Sequence, residues 1–177
     1  MAKKPDVTKK FGEKRSAIVH AASVLINETG VQATTLTKVA RAIGLNATSV
    51  TYYFPRKEQL VVAVYEETLT LMERMAGEAL EQPDPAARLR HFIAGHVALR
   101  KRIRAGEHGL TTALSEIRTL DKEAYDALMG HYLRVVGLVR AFFGEWSGYE
   151  ERTLFSARAH ILLEAGMWWP IWSMRYS

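Results

Sequence analysis

Proline is distributed so that two long segments of this chain contain none. The chain has five prolines, and none of them lies in residues 6–54 or 86–169. Since proline removes an amide hydrogen and clashes inside a helix, segments without it can form long helices. Their apolar residues recur with a period of about 3.6 rather than 2, which is typical of amphipathic helices. The sequence therefore predicts an all-α fold without a β-sheet.

Apolar stripes locate the individual helices. One stripe runs from Ile18 to Ile26 and a shorter one from Leu36 to Ile43, and Gly30 between them is placed to end the first helix. The same pattern continues downstream, so we predict further helical stretches over residues 60–80, 86–104, 108–118, 122–146 and 151–169.

Composition removes several classes of protein. The chain has 177 residues and no cysteine, which excludes disulfides, thiolate zinc sites and thiol nucleophiles. No run approaches the ~20 apolar residues of a membrane span. The N-terminus is basic but is not followed by an apolar stretch, so it does not fit a secretory signal. We expect a cytoplasmic protein with no membrane association.

The positive charge is concentrated in the first third of the chain. Residues 1–60 hold 10 Lys and Arg against 4 Asp and Glu, a net +6, whereas residues 61–177 hold 14 against 15, a net −1. A basic segment joined to a near-neutral one favours a polyanionic partner for the basic part. Four N-terminal lysines are predicted to form a mobile arm that adds nonspecific attraction, or simply a solvated tail: Lys3, Lys4, Lys9 and Lys10.

Two very short helices are predicted next to each other within the basic segment. The first covers about Thr37–Ile43 and stops at Gly44. Asn46 is a good N-cap for the second, Ala47–Tyr53, and Pro55 disfavours helix in the residue before it. Two short helices joined by a glycine-containing turn predict a helix-turn-helix.

The segment Thr34–Leu60, TTLTKVARAIGLNATSVTYYFPRKEQL, resembles the DNA-binding signature of the TetR family of transcriptional repressors. The resemblance implies a helix-turn-helix DNA-binding domain over residues 1–55 and a helical effector-binding and dimerisation domain over residues 56–177. It further implies a homodimer that binds a palindromic double-stranded DNA operator, represses transcription, and is released by a small apolar effector. It also leads us to expect a further C-terminal helix beyond Ser177.

The segment departs from the family pattern at two positions. Thr51 stands where family members often have a tyrosine that touches the DNA backbone. Arg56 stands where a capping Ser, Asn or Asp is usual, so we expect a less well capped start for the fourth helix and an added positive charge near DNA.

The second short helix is predicted to be the DNA-reading one, because its first residues meet base edges in a helix-turn-helix. Val50 and Phe54 are four apart and are predicted to face inward. Thr37 and Lys57 begin the second and fourth helices, where a phosphate would be favoured. The predicted DNA-binding residues are Thr37, Lys38, Ala47, Thr48, Ser49, Thr51, Tyr52, Tyr53 and Lys57.

The C-terminal part is predicted to hold the effector and the dimer partner. Three tryptophans lie within Trp168–Trp172 and need burial or a partner, and Pro170 is predicted to kink or end the helix there. The candidate ligand-binding residues are mostly apolar, and a few of them carry a polar group. They are Phe92, His96, Leu114, Tyr132, Val136, Phe155 and Trp168.

No pattern of an enzyme or metal protein is visible in the sequence. His91 and His96 are five apart and cannot chelate from one helix face, so no metal is predicted. Nucleophile-elbow and phosphate-loop motifs are absent, hence no catalytic residue and no cofactor is predicted. The alternative interpretation is a helical small-molecule-binding or interaction protein without a DNA-regulatory role.

Overall fold

The predicted all-α architecture is confirmed. The computed structural model describes residues 7–145 and 148–173, with side chains for 9–145 and 148–166. Within these ranges there are seven α-helices and no strand. None of the described helices is both long and apolar enough to span a membrane. The helices are α1 (Val7–Ala33), α2 (Leu36–Ala42), α3 (Ala47–Tyr53), α4 (Lys57–Leu80), α5 (Pro85–Arg104), α6 (Lys122–Arg140) and α7 (Tyr149–Ser173).

Helix α1 is interrupted close to its end. Gly30 has φ 81° and ψ 167°, a conformation that is open almost only to glycine, which agrees with its predicted role in ending the first helix. At its other end α1 already begins at Val7. The mobile-arm prediction is therefore wrong for Lys9 and Lys10, because the helical backbone continues back through them. Lys3 and Lys4 lie outside the described residues.

Side-chain caps set the start of both short helices. The Thr35 hydroxyl accepts a hydrogen bond from the Lys38 amide at 3.2 Å, so α2 begins at Leu36, one residue before the predicted Thr37. The Asn46 carboxamide oxygen accepts from the Ser49 amide at 2.7 Å, which confirms the predicted cap of α3. Each cap satisfies a helix amide that has no partner within its own helix.

The chain divides into two compact units. The first contains the residues up to Tyr65 together with Leu114–Tyr125. Its core is formed by fully or almost fully buried apolar side chains, which let α2 and α3 persist despite being too short to be stable alone. These side chains include Ile18, Val19, Ala22, Val39, Ala40, Val50, Phe54 and Leu60.

Within this unit, Glu116 connects the segment Leu114–Tyr125 to the end of α1 by a hydrogen bond. Its Oε1 accepts a hydrogen bond from the Val31 amide at 2.9 Å, and a Cβ on Gly30 would lie 2.9 Å from the same oxygen. Burial raises the pKa of Tyr65 to about 12, and the negative charge of Glu116 adds to this shift.

The helix predicted over residues 108–118 is wrong. Apart from a 3₁₀ turn at Ile117–Thr119, this stretch is irregular. Gly106 ends α5 with φ 73°, and the amide of Thr112 donates to the Thr68 hydroxyl at 3.0 Å instead of to a helical carbonyl. Tertiary hydrogen bonds therefore replace the local pattern that the apolar spacing suggested.

The second unit contains Glu66–Ala113 and the residues from Asp126 onward. Its core includes Phe92, Leu128, Val135, Val139, Phe142, Ala159 and Leu163. His131 is buried on α6 and its two ring nitrogens lie 2.6 Å and 3.1 Å from carboxylate oxygens of Glu66 and Glu73 on α4. The buried imidazole is thus paired across helices, as buried polar groups generally are.

Two other boundaries differ from the sequence prediction. Helix α6 ends at Arg140 and passes into a 3₁₀ turn before Gly144 (φ 97°), so the predicted helix over 122–146 is too long. Helix α7 continues past Pro170 to Ser173, so this proline does not end it. The tryptophan side chains of this segment lie outside the described residues.

Candidate functional site

Helix α3 presents a polar face that is anchored by two apolar residues. Val50 is fully buried and Phe54 is 3% exposed, as predicted from their spacing. On the opposite side Thr48, Thr51 and Tyr52 are exposed. The outward face of this helix is therefore available to a partner while its inward face fixes its orientation.

The hydroxyl groups of this face differ in what they can offer. The Thr51 hydroxyl donates to the Thr48 carbonyl at 3.0 Å, so its proton is used within the helix. The Thr48 hydroxyl has no hydrogen-bond partner among the described residues. A free hydroxyl can donate or accept, which suits the edge of a base pair.

Three aromatic rings form a cluster where α1 meets the end of α3. The ring centroid of Phe11 lies 4.7 Å from that of Tyr53 and 6.1 Å from that of Tyr52. The two tyrosine rings are perpendicular at 5.2 Å. Tyr53 is half-buried and Tyr52 is 73% exposed, so the cluster holds both phenols at the surface of the unit.

A cleft of about 390 Å³ runs beside the N-terminal end of α3. The ammonium-bearing side chain of Lys14 on α1 is one of its walls. Lys14 and Phe11 are missing from the residues predicted from the sequence. The signal for Lys14 was its position four residues before buried Ile18, which continues the period of α1. The full lining is Lys14, Leu45, Asn46, Thr48, Ser49, Tyr52 and Tyr53.

Two predicted DNA-binding lysines, Lys38 and Lys57, bond to carbonyl groups at the end of α1. The Lys38 Nζ donates to the Ala33 carbonyl at 2.7 Å, and the Lys57 Nζ donates to the Gln32 carbonyl at 3.1 Å. The carbonyl end of a helix carries partial negative charge, so it attracts both cations. Each ammonium has three donors and uses one in these bonds, which leaves donors for a phosphate.

The remaining predicted DNA-binding residues lie on α2 and α3. Thr37 is exposed on α2, and Ala47 and Ser49 are half-buried in the first turn of α3. The first unit therefore brings together the predicted residues of α2, α3 and the start of α4.

The backbone amide of Arg56, just before α4, has a side-chain partner that was not predicted from the sequence. The Arg56 amide donates to the Gln59 side-chain oxygen at 3.3 Å, which is one half of a capping box. Gln59 three residues into the helix was the available signal. The guanidinium of Arg56 lies 3.9 Å from the Asp121 carboxylate in an exposed ion pair. Such a pair adds ~0–1 kcal/mol, so it leaves Arg56 able to exchange partners.

The predicted effector residues are distributed over several places. Phe92 is fully buried, and its ring contacts that of His96 edge-on at 4.7 Å. His96 also lines a groove between α5 and α7. Burial lowers the pKa of His96 to about 4, with a further contribution from the charge of Arg100, so its imidazole is neutral at pH 7.

Of the remaining members of that set, those whose side chains are described do not line this groove. The Tyr132 hydroxyl lies 2.8 Å from His160 Nδ1, and burial raises the pKa of Tyr132 to about 12 with help from the charge of Glu164. Val136 is buried in the α6 core, and Phe155 packs against Phe143 with ring centroids 5.7 Å apart. Leu114 belongs to the first unit, and the Trp168 side chain lies outside the described residues.

Comparison with known proteins agrees with this geometry. Residues 18–64 match the family model described as bacterial regulatory proteins, tetR family. This segment contains α2 and α3 entirely, together with most of α1 and the start of α4. Over 80 residues the chain is 31% identical to the HTH-type transcriptional regulator RutR of Escherichia coli strain K12, and the match covers 45% of this chain and 38% of RutR. The chain thus spans well under half the length of the curated relatives that it matches.

Solved structures share the fold over most of the chain. AibR, in complex with isovaleryl coenzyme A and operator DNA, has a TM-score of 0.69 at 21% identity, covering 88% of this chain and 84% of AibR. PfmR from Thermus thermophilus has a TM-score of 0.66 at 22% identity over 85% of each chain. FadR from Bacillus halodurans has a TM-score of 0.65 at 18% identity, covering 100% of this chain and 90% of FadR.

The helix-turn-helix, its capped α3 and the matched segment 18–64 lead to one assignment. Over residues 18–64, which carry this helix-turn-helix, the chain is similar to the bacterial regulatory proteins of the tetR family.

Proposed function

We propose that this protein is a cytoplasmic transcriptional repressor that binds a palindromic DNA operator as a homodimer. Residues 1–55 act as the DNA-binding domain and residues 56–177 as the effector-binding and dimerisation domain. The observation that carries the proposal is the exposed polar face of α3 on a buried apolar anchor. In a helix-turn-helix this face enters the major groove, and two copies read two half-sites one helical turn apart.

The residues divide into base-reading and phosphate-binding groups. Ala47, Thr48 and Ser49 meet base edges, because they form the first turn of α3. Phosphate contacts hold the protein in register without reading the sequence. In this proposal they come from Thr37, Lys38, Tyr52, Tyr53 and Lys57, with Lys14 in addition.

A small molecule bound in the second unit releases the operator. For this to occur the effector must bind the released conformation more tightly than the DNA-bound one, with a coupling of typically ~1–3 kcal/mol. The structural neighbour AibR, solved with isovaleryl coenzyme A and operator DNA together, supports the presence of both a small-molecule site and a DNA site in a protein of this fold.

Selection of bound duplexes from a random pool tests the proposal. We expect the purified chain to enrich an inverted repeat, and sedimentation of the complex to give two chains per duplex. Enrichment of an asymmetric sequence, or one chain per duplex at saturation, contradicts the dimeric part. Retention of all sequences equally contradicts specific recognition and favours a helical binding protein without a regulatory role.

A further inference from the structure

A buried arginine lies on α5 in the second unit, with no counter-charge among the described side chains. Arg100 is 8% exposed, and its Nη2 donates to the Thr111 hydroxyl at 3.1 Å and to the Gly166 carbonyl at 3.3 Å. Its Nε is buried and has no hydrogen-bond partner in the described ranges. Burial alone accounts for the lowering of its pKa. Burying a charged guanidinium without a counter-charge costs desolvation free energy, unless a further group pairs with it.

An imidazole with two unsatisfied nitrogens lies one helical turn before Arg100. Both ring nitrogens of His96 are buried and have no partner within the described part of the chain. The ring lies against Gly166 on α7, where a Cβ would come within 2.5 Å of its Cε1. Glycine at this position therefore makes room for the imidazole. Unsatisfied buried polar groups are few in proteins, and a ligand that pairs with them is one of their explanations.

Helices α5 and α7, which carry Arg100, His96 and Gly166, also line a groove of about 260 Å³. His96 and Gly166 are polar and small members of its lining, and its other lining residues within the described part of the chain are aliphatic. Arg100 is not itself one of the lining residues, but its guanidinium bonds the carbonyl of Gly166, a lining residue that has no side chain. The aliphatic walls are Ile93, Val97, Leu162 and Ala165.

We propose that this groove binds a small aliphatic monocarboxylate. The carboxylate pairs with the guanidinium of Arg100 and accepts the ring N–H of His96, while its hydrocarbon chain lies along the aliphatic walls. The proposed occupant is amphipathic rather than purely apolar, which changes the effector class expected from the sequence. Its role as an effector rests on the proposed function, whereas its binding does not.

Charge balance selects this class over other ligands. His96 is neutral at pH 7, so Arg100 is the one full positive charge among the groups that form the proposed site. One cation balances a monoanion, whereas a phosphate dianion would bring an excess charge into a largely apolar groove. A neutral ligand would leave the guanidinium without a counter-charge. Charge-assisted bonds to a carboxylate are also stronger than those to a neutral carbonyl.

Calorimetric titration with a matched pair of probes tests the inference. Hexanoate and hexanamide share the same hydrocarbon chain and differ in charge. At pH 7.5 we expect hexanoate to bind the full chain saturably and at least tenfold more tightly than hexanamide. Equal affinities, binding of the amide alone, or no binding of either at millimolar concentration overturns the proposal.

Three variants separate the guanidinium from general effects. Arg100→Gln should abolish the preference for hexanoate, Arg100→Lys should keep part of it, and Lys101→Gln, which removes an exposed charge from the same helix, should leave it unchanged. A preference that survives in Arg100→Gln contradicts the assignment. If Arg100→Gln does not fold, the comparison of hexanoate with hexanamide on the unaltered protein still tests the proposal.

A separate measurement distinguishes failure of this inference from failure of the proposed function. Operator affinity is measured with and without hexanoate. If hexanoate binds without any change in operator affinity, the carboxylate site is supported and its role as an effector site is contradicted. If the chain binds its operator specifically but does not bind hexanoate, the proposed repressor function is supported and the carboxylate site is contradicted.

Discussion

The hydroxyl of Thr48 is the side-chain group of α3 best placed to read a base. It is exposed and has no partner among the described residues, while the neighbouring Thr51 hydroxyl is engaged with the backbone. We expect Thr48→Ala to weaken binding to the selected operator by up to about 3 kcal/mol, with little change on random duplexes. Fluorescence anisotropy with both duplexes measures this, and Thr70→Ala on α4 is a matched exposed control. Equal weakening on both duplexes would place Thr48 on the phosphate backbone.

Lys57 should act through charge and not through sequence. Its ammonium is held at the end of α1 by the Gln32 carbonyl and has donors to spare. Because phosphate contacts release counterions, Lys57→Ala should weaken specific and random duplexes by similar factors. It should also lower the slope of log affinity against log salt by about one per subunit. Lys101→Ala is the control for loss of a lysine elsewhere. An unchanged slope in Lys57→Ala would show that this lysine does not touch DNA.

His96 should make stability depend on pH. Its folded pKa of about 4 lies below the ordinary value of 6.5, so in mildly acidic solution the unfolded chain binds a proton that the folded one does not. The contribution of His96 is therefore present above pH ~6.5 and is lost as the pH falls toward 4, on the order of 2 kcal/mol by pH 4.5.

Urea unfolding at several pH values measures this contribution. His96→Gln should remove that part of the pH dependence, whereas His91→Gln, on the exposed face of the same helix, should not. A His96→Gln variant with the wild-type pH profile would mean that the pKa of His96 is the same in the folded and the unfolded chain.

At the scale of the elements, α1 holds two glycines in opposite situations. Gly30 has a positive φ, and a Cβ there would meet Glu116, whereas Gly12 lies inside the helix with open space around it. We expect Gly30→Ala to lower the free energy of unfolding by about 1–3 kcal/mol, and Gly12→Ala to raise it by about 0.5–1 kcal/mol. Urea midpoints compare the pair. A neutral Gly30→Ala would contradict the strained geometry at the end of α1.

Helix α3 could be predicted from the sequence, whereas the irregular stretch after Gly106 could not. The start and end of α3 followed from Asn46 and Pro55, because capping and proline chemistry are local. The irregular stretch after Gly106 did not follow, since it depends on a hydrogen bond between Thr112 and Thr68. Glu116 was missed for the same reason: its partner, the Val31 amide, is distant in sequence.

At the scale of the whole molecule, the helix-turn-helix candidates were easier to predict than the groove between α5 and α7. The predicted DNA-binding residues come from one continuous segment, so the helical period places them on neighbouring surfaces. The groove is lined by residues of both α5 and α7, and the buried Arg100 bonds the carbonyl of the lining residue Gly166. The run Arg100–Arg104 has the pattern of a solvated helix face, and nothing local marks its first residue as buried.

The central claim is that the polar face of α3 recognises a specific DNA sequence. The ratio of affinities for the selected operator and for a random duplex of equal length, measured at one physiological salt concentration, tests it most directly. Specific DNA-binding proteins typically show ratios of roughly 10³ or more, and we predict a ratio in that range. A ratio near one, with affinity that falls steeply with salt for both duplexes, would show that the basic first third only attracts DNA and does not read it.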